Sequence, residues 1–177
     1  MDRQEIDALR RRIRKDKKVV RFKSATERNP NLQLPFDELH NELERLMRTR
    51  SIRTLDRSDK SFTSSVVDAM LQDQAYRSRC TEILSSCIKI TGTFQETLDN
   101  LRDYLMLEYG SQIGGRTTKA ERQQFMESVL RPFYRYLHDV RQLQEHARYL
   151  VDDIDKAGFT FRNLVEGIKL LGRPETM

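Results

Sequence analysis

Cys80-Thr81-Glu82-Ile83-Leu84-Ser85-Ser86-Cys87-Ile88-Lys89-Ile90-Thr91-Gly92-Thr93-Phe94 is the stretch whose periodicity decides the fold. Cys80, Cys87, Phe94 and Leu101 recur every seven residues, and Ile83/Leu84, Ile90, Leu98 and Tyr104/Leu105 interleave at three or four. Residues at that spacing form one stripe on an α-helix, and a stripe sustained over several heptads is a seam that packs against another helix. The helical pattern spans Val66 to Tyr109, and Gly92 inside it marks a place for a local bend.

A second seam lies downstream. Phe133, Val140, Ala147 and Ile154 repeat at seven, with Tyr136/Leu137, Leu143 and Leu150/Val151 between them. The glycine-rich stretch Gly110-Ser111-Gln112-Ile113-Gly114-Gly115-Arg116 separates the two seams. No Gly-Lys-Ser/Thr follows those glycines and no strand precedes them, so they read as a turn, not a phosphate loop. Thr117/Thr118 with Glu121 form a capping box that opens a helix over Phe125 to Leu130, and Pro132 starts a new segment. The expectation is an all-α fold built on a long antiparallel helical hairpin of coiled-coil character. Gly158 reads as a helix stop, after which a short helix carrying Phe159, Phe161, Leu164 and Ile168 folds back and locks the end.

Upstream, Phe36 to about Arg50 reads as a short helix on Leu39, Leu43 and Leu46, and Ser51 to Ser64 as a polar connector. Residues 1–28 hold eleven Lys/Arg against five Asp/Glu, whereas the rest of the chain holds 21 against 22. The formal charge of +5 therefore resides in the N-terminal segment. Its apolar residues look too sparse for a core stripe, so residues 1–35 are expected to be a basic arm with a linker broken at Pro30 and Pro35, and 36–177 the helical domain.

Cations clustered in this way contact phosphates and release counterions. The candidate nucleic-acid residues are Arg10, Arg11, Arg12, Arg14, Lys15, Lys17, Lys18, Arg21 and Lys23, followed in the domain by Arg77, Arg79, Lys89, Arg102, Arg116, Lys119 and Arg122. Tyr76, Tyr104 and Tyr109 are interleaved and suited to stacking on unpaired bases. The same cations suit an acidic protein partner, which makes a helical scaffold or adaptor the alternative.

Catalytic patterns are missing from the sequence. There is no Gly-x-Ser-x-Gly, no HExxH and no nucleotide fingerprint, so an enzyme is not expected. His138 and His146 sit two helical turns apart, neither cysteine lies near a histidine in sequence, and Asp152, Asp153 and Asp155 form an ordinary charged face, so neither metal nor cofactor is expected. No apolar run reaches membrane-spanning length, and no apolar leader core opens the chain, so secretion is not expected.

Three stretches resemble the UvsY family of phage recombination mediators: Phe36-Asp37-Glu38-Leu39-His40-Asn41-Glu42-Leu43; Leu101-Arg102-Asp103-Tyr104-Leu105-Met106-Leu107-Glu108-Tyr109 with its glycine turn; and Ile154 to Lys169, with Gly158, Phe159, Arg162, Asn163 and Glu166 matching. The resemblance implies a non-enzymatic, homo-oligomeric ring in the host cytoplasm. Such a protein binds single-stranded DNA and helps load a recombinase onto strands coated by single-strand-binding protein.

Overall fold

Helix dominates because apolar residues at three- and four-residue spacing run through almost the whole chain, with few prolines or glycines to interrupt them. The computed structural model describes residues 3–51, 62–113 and 118–171. Among them it has six α-helices and no strand: α1 (Arg3–Arg14), α2 (Lys17–Arg28), α3 (Phe36–Ser51), α4 (Phe62–Tyr109), α5 (Lys119–Val129) and α6 (Arg131–Leu171). Short 3-10 turns occupy Pro30–Leu32 and Gly110–Gln112. No helix among the described residues is long and apolar enough to cross a membrane. The helices fall into two units, Met1–Pro35 with Ile88–Arg141 and Phe36–Cys87 with Gln142–Met177, so α4 and α6 each contribute a segment to both.

The first unit is built on an aromatic and aliphatic core. Phe94, Leu98, Leu101 and Leu105 of α4 are buried, as are Leu137 and Val140 of α6 and Met126 and Val129 of α5. The α4 and α6 segments run antiparallel: Gln95 accepts from Arg141, whereas Arg102, further along α4, lies near Tyr134, earlier on α6. Phe22 of α2 inserts between them, its ring 5.4 Å from Phe94 and 4.8 Å from Phe133, the latter edge-on. Edge-to-face rings at such distances add a favourable quadrupole term to their area burial.

The segment expected to be an arm and linker is therefore part of this core. Leu9 and Ile13 of α1 and Val19 of α2 are all buried. They are few, but Leu9 and Ile13 stand one turn apart on one face, and Phe22 of α2 adds an aromatic ring to the same unit. The expected linker from Ser24 is helical as far as Arg28 and then turns at Pro30–Leu32.

The capping-box reading is met in full. Thr118 Oγ1 accepts from the Glu121 N–H, and the Glu121 carboxylate accepts from the Thr118 N–H at 2.7 Å. As expected from Pro132, α5 ends at Val129 and α6 begins at Arg131, where the proline's missing N–H would be unpaired in any case.

In the second unit α3 lies between segments of the two long helices. Glu42 meets Arg79 and Arg50 meets Asp73, so α3 runs antiparallel to α4. His40 meets His146 and Arg50 meets Asp153, so α3 runs parallel to α6. Leu43 is fully buried here, with Val66, Cys80, Cys87, Leu143, Ala147, Leu150 and Ile154. Burial raises the Cys80 thiol and pushes that of Cys87 up to about 11, so both remain protonated, unreactive core residues at neutral pH.

One expectation is overturned at the end of the chain. α6 continues without a break through Gly158 to Leu171, and no helix folds back. Glycine permits a helix to stop but does not force one; a Cβ at Gly158 would meet nothing within 4 Å. The residue is simply a weak point, costing about 1 kcal/mol relative to alanine. Phe159, expected to be covered by the reversal, is 64% exposed. Phe161 and Leu164 are half-buried, and the Ile168 side chain lies outside the description. The connector placed at Ser51 to Ser64 is helical at both ends, in α3 and α4, and residues 52–61 lie outside the described residues.

Asp73 sits where the seven-residue seam extends back from Cys80, and it is the buried charged residue of that seam. It pairs with Arg50, whose side chain is 8% exposed and whose Nε lies 3.1 Å from the Asp73 carboxylate. The Asp153 carboxylate also receives an Arg50 hydrogen bond. Burial works against the Arg50 charge, but the two carboxylates outweigh it and the guanidinium is held more firmly protonated than usual. Removing one member leaves the other charged and buried. Arg50→Met should therefore cost about 3–5 kcal/mol in urea unfolding, and the pair Arg50→Met with Asp73→Leu should recover most of that loss.

Candidate nucleic-acid interface

Asp16 breaks the basic N-terminal segment into two helices. Its Oδ1 accepts from the Lys18 N–H at 2.7 Å, capping α2, while the preceding residues close α1 with Lys15 and Asp16 N–H bonds to the Arg11, Arg12 and Ile13 carbonyls. The other carboxylate oxygen accepts from the Tyr109 hydroxyl at 2.9 Å and faces that of Tyr104 at 3.4 Å. One side chain thus caps a helix and ties it to the end of α4. Burial alone would raise the Asp16 carboxyl, but the Lys18 N–H, the Tyr109 hydroxyl and their neighbours together hold it below the usual carboxylate value.

This arrangement sorts the expected cations into engaged and free. Arg10 donates to Ser128 at 3.5 Å, pairs with Asp7 and lies 5.4 Å from the Phe125 ring centroid. Arg12 donates to Gln112 and sits 5.8 Å over Tyr109. The Lys18 ammonium is 3.5 Å over the Tyr104 ring, and Lys23 pairs with Glu27. Such cation–π contacts hold the basic helices against the tyrosines. Tyr104 and Tyr109 are therefore committed to Asp16, Lys18 and Arg12, and the expected base-stacking role does not fit their positions.

Five cations remain: Arg11, Arg14 and Lys15 on α1 and its end, and Lys17 and Arg21 on α2. All five side chains are exposed, and among the described residues none has a carboxylate partner. Arg11, Arg14 and Lys15 follow i, i+3, i+4 spacing and share a face, as do Lys17 and Arg21. Three of them stand at the carboxyl end of α1, where the helix dipole favours positive charge.

The cations expected in the helical domain fare differently. Arg102 is held by Asp99 at 3.0 Å and Asp103 at 3.2 Å, with its side chain only 22% exposed. Arg122 is half-buried and has a partner, Lys119 is exposed at the start of α5, and Arg116 lies outside the described residues. In the second unit Arg77 forms a two-pronged pair with Asp155, and Arg79 does the same with Glu42. Phe159 and Phe161 line an open cleft of about 380 Å³ there, with Met70, Gln74 and Arg162.

The histidines pair in a way that sequence spacing does not reveal. His146 meets not His138 but His40, 106 residues away, with Nδ1 atoms 3.3 Å apart and rings stacked at 5.5 Å between centroids. Burial, then the neighbouring His40, lowers the His146 pKa, and Glu44 acts in the opposite direction. Among the described residues no group of three or more His, Cys, Asp or Glu side chains is arranged to hold a metal.

Comparison with family models, with curated proteins and with solved structures returned no match.

Asp16→Ala should lower the stability of the full chain by about 1–3 kcal/mol, from the lost cap and the freed tyrosine hydroxyls. Because the folded carboxyl titrates below its unfolded value, its contribution is complete above the unfolded pKa. It is lost as pH falls through the folded value. Urea unfolding at a series of pH values should show a constant gap between wild type and variant above about pH 5 that narrows below about pH 4.

Proposed function

We propose that the chain is a non-enzymatic protein that binds single-stranded DNA through the phosphate backbone. The observation that carries this reading is the group of five exposed cations, Arg11, Arg14, Lys15, Lys17 and Arg21, which have no carboxylate partner among the described residues and are held on two folded helices and the turn between them. Flexible cations lose conformational freedom on binding; cations mounted on helices that are already packed lose less. With Tyr104 and Tyr109 turned toward Asp16, affinity comes from charge and is nearly indifferent to base identity.

By its resemblance to phage recombination mediators, the proposed role is to hold a strand, loosen its single-strand-binding protein and present it to a recombinase. Assembly into a homo-oligomeric ring would repeat the basic helices around the strand and multiply a modest affinity by avidity. The rival reading is a helical adaptor whose basic segment docks on an acidic protein, and it uses the same five residues.

Fluorescence anisotropy with labelled oligo(dT) across a salt series, beside the matching duplex, separates the two. Five phosphate contacts predict a slope of log affinity against log salt of about −3 to −4 on the single strand, and changing all five cations to Gln should lower low-salt affinity on the order of a hundredfold or more. Circular dichroism should be unchanged, because none of the five is buried. Absence of binding at low salt would leave the adaptor, and full binding by the Gln variant would remove these residues from the interface.

A further inference from the structure

The contact between His40 and His146 is a hydrogen bond between two imidazoles, the side chains that change charge near neutral pH, and it joins α3 to α6. His40 lies one turn before buried Leu43, and His146 sits beside buried Ala147, so the bond lies at the edge of the core of the second unit. Both rings are half-buried and stack at 5.5 Å between centroids. With the Nδ1 atoms 3.3 Å apart, one carries a proton and donates, and the other must keep its lone pair to accept. That requirement counts protons. The neutral pair meets it. One added proton goes to the Nε2 of the donating ring, which still donates from Nδ1 to its neutral neighbour. A second must take the accepting lone pair. Two N–H groups would then face each other on two stacked cations with no acceptor between them, and half-burial adds a desolvation cost.

We propose that this pair is a proton-operated latch: near neutral pH it fastens the first half of α3 to α6, and uptake of the second proton releases that half while the Arg50 end stays fastened to Asp73 and Asp153. The surroundings do little to relieve the doubly charged state. From α3, Glu44 attracts a proton to His146, but it is shared with Arg48 at 3.2 Å, and Glu42 is engaged by Arg79. On α6 itself Glu145 pairs with Arg148. From α4 come the protonated thiols of Cys80 and Cys87, and Glu82, which Arg79 also holds. Burial, then His40, accordingly lowers His146 below the ordinary imidazole value. The unfolded chain takes up a proton that the folded pair refuses. The stabilisation is thus complete above the unfolded value of about 6.5 and is lost as pH falls through the lower folded one.

The test has two parts, both on the full chain. Urea unfolding at pH 7.5 and 5.5 reads the proton count: between those values the folded-to-unfolded ratio should fall about tenfold more for the unaltered chain than for His146→Gln. His40→Gln should show an intermediate fall, since His146 stays half-buried but loses its partner, and His138→Gln, at an exposed position, should respond as the unaltered chain does. Hydrogen exchange on the unaltered chain, corrected for the pH dependence of the intrinsic rate, locates the release. Protection over residues 40–44 should drop at pH 5.5 while that over residues 47–50 holds. A pH response equal in the unaltered chain and His146→Gln would overturn the latch. So would a full response in His40→Gln, which would assign the effect to burial alone, or protection that stays constant or falls evenly along α3.

Discussion

The Asp16 carboxylate decides whether the basic N-terminal segment is a tail or part of the fold. Through one oxygen it caps α2, and through the other it is tethered by Tyr109 at the end of α4. That contact directs α2 along α4, so that Phe22 reaches Phe94 and Phe133. It also fixes where the chain changes direction, and hence which cations face solvent. A charged acceptor with several donors is stronger than a neutral one, which is why one residue can hold a junction between helices this rich in like charge.

The second unit depends on charge in another way. Its seam accepts a buried aspartate, which only makes physical sense because Arg50 arrives from α3 to neutralise it. A hydrophobic pair of similar volume would be at least as stable. The ion pair instead sets the register of α3 against α4, as do Glu42 with Arg79. Both units thus use polar contacts for alignment and apolar seams for cohesion.

Periodicity carried most of the fold. Cys80, Cys87, Phe94 and Leu101 could be assigned to one face without structural knowledge because all four lie on one helix, where spacing is geometry. Thr118 with Glu121, and the start at Arg131, were legible for the same local reason. The role of α1 and α2 was not. Leu9, Ile13, Val19 and Phe22 look sparse alone, and the rings that Phe22 meets, Phe94 and Phe133, lie far along the chain from it. Gly158 misled because a permissive residue was read as an instruction. In the candidate interface, the five free cations were named among the rest. Their distinction from Arg10, Arg12, Lys18 and Arg102 depends on long-range neighbours or on which way a side chain turns, and so was invisible in the sequence. The meeting of His40 with His146 was hidden likewise.

The central claim is that the basic segment is folded in the free protein. Hydrogen–deuterium exchange of peptides covering residues 9–28, in the absence of any ligand, tests it most directly. Slow exchange through Ile13 and across Val20 to Phe22, rising toward unfolded rates when Asp16 is changed to Ala, is the predicted result. Exchange at unfolded-chain rates throughout that span in the unaltered protein would contradict the account, and would return the segment to an arm.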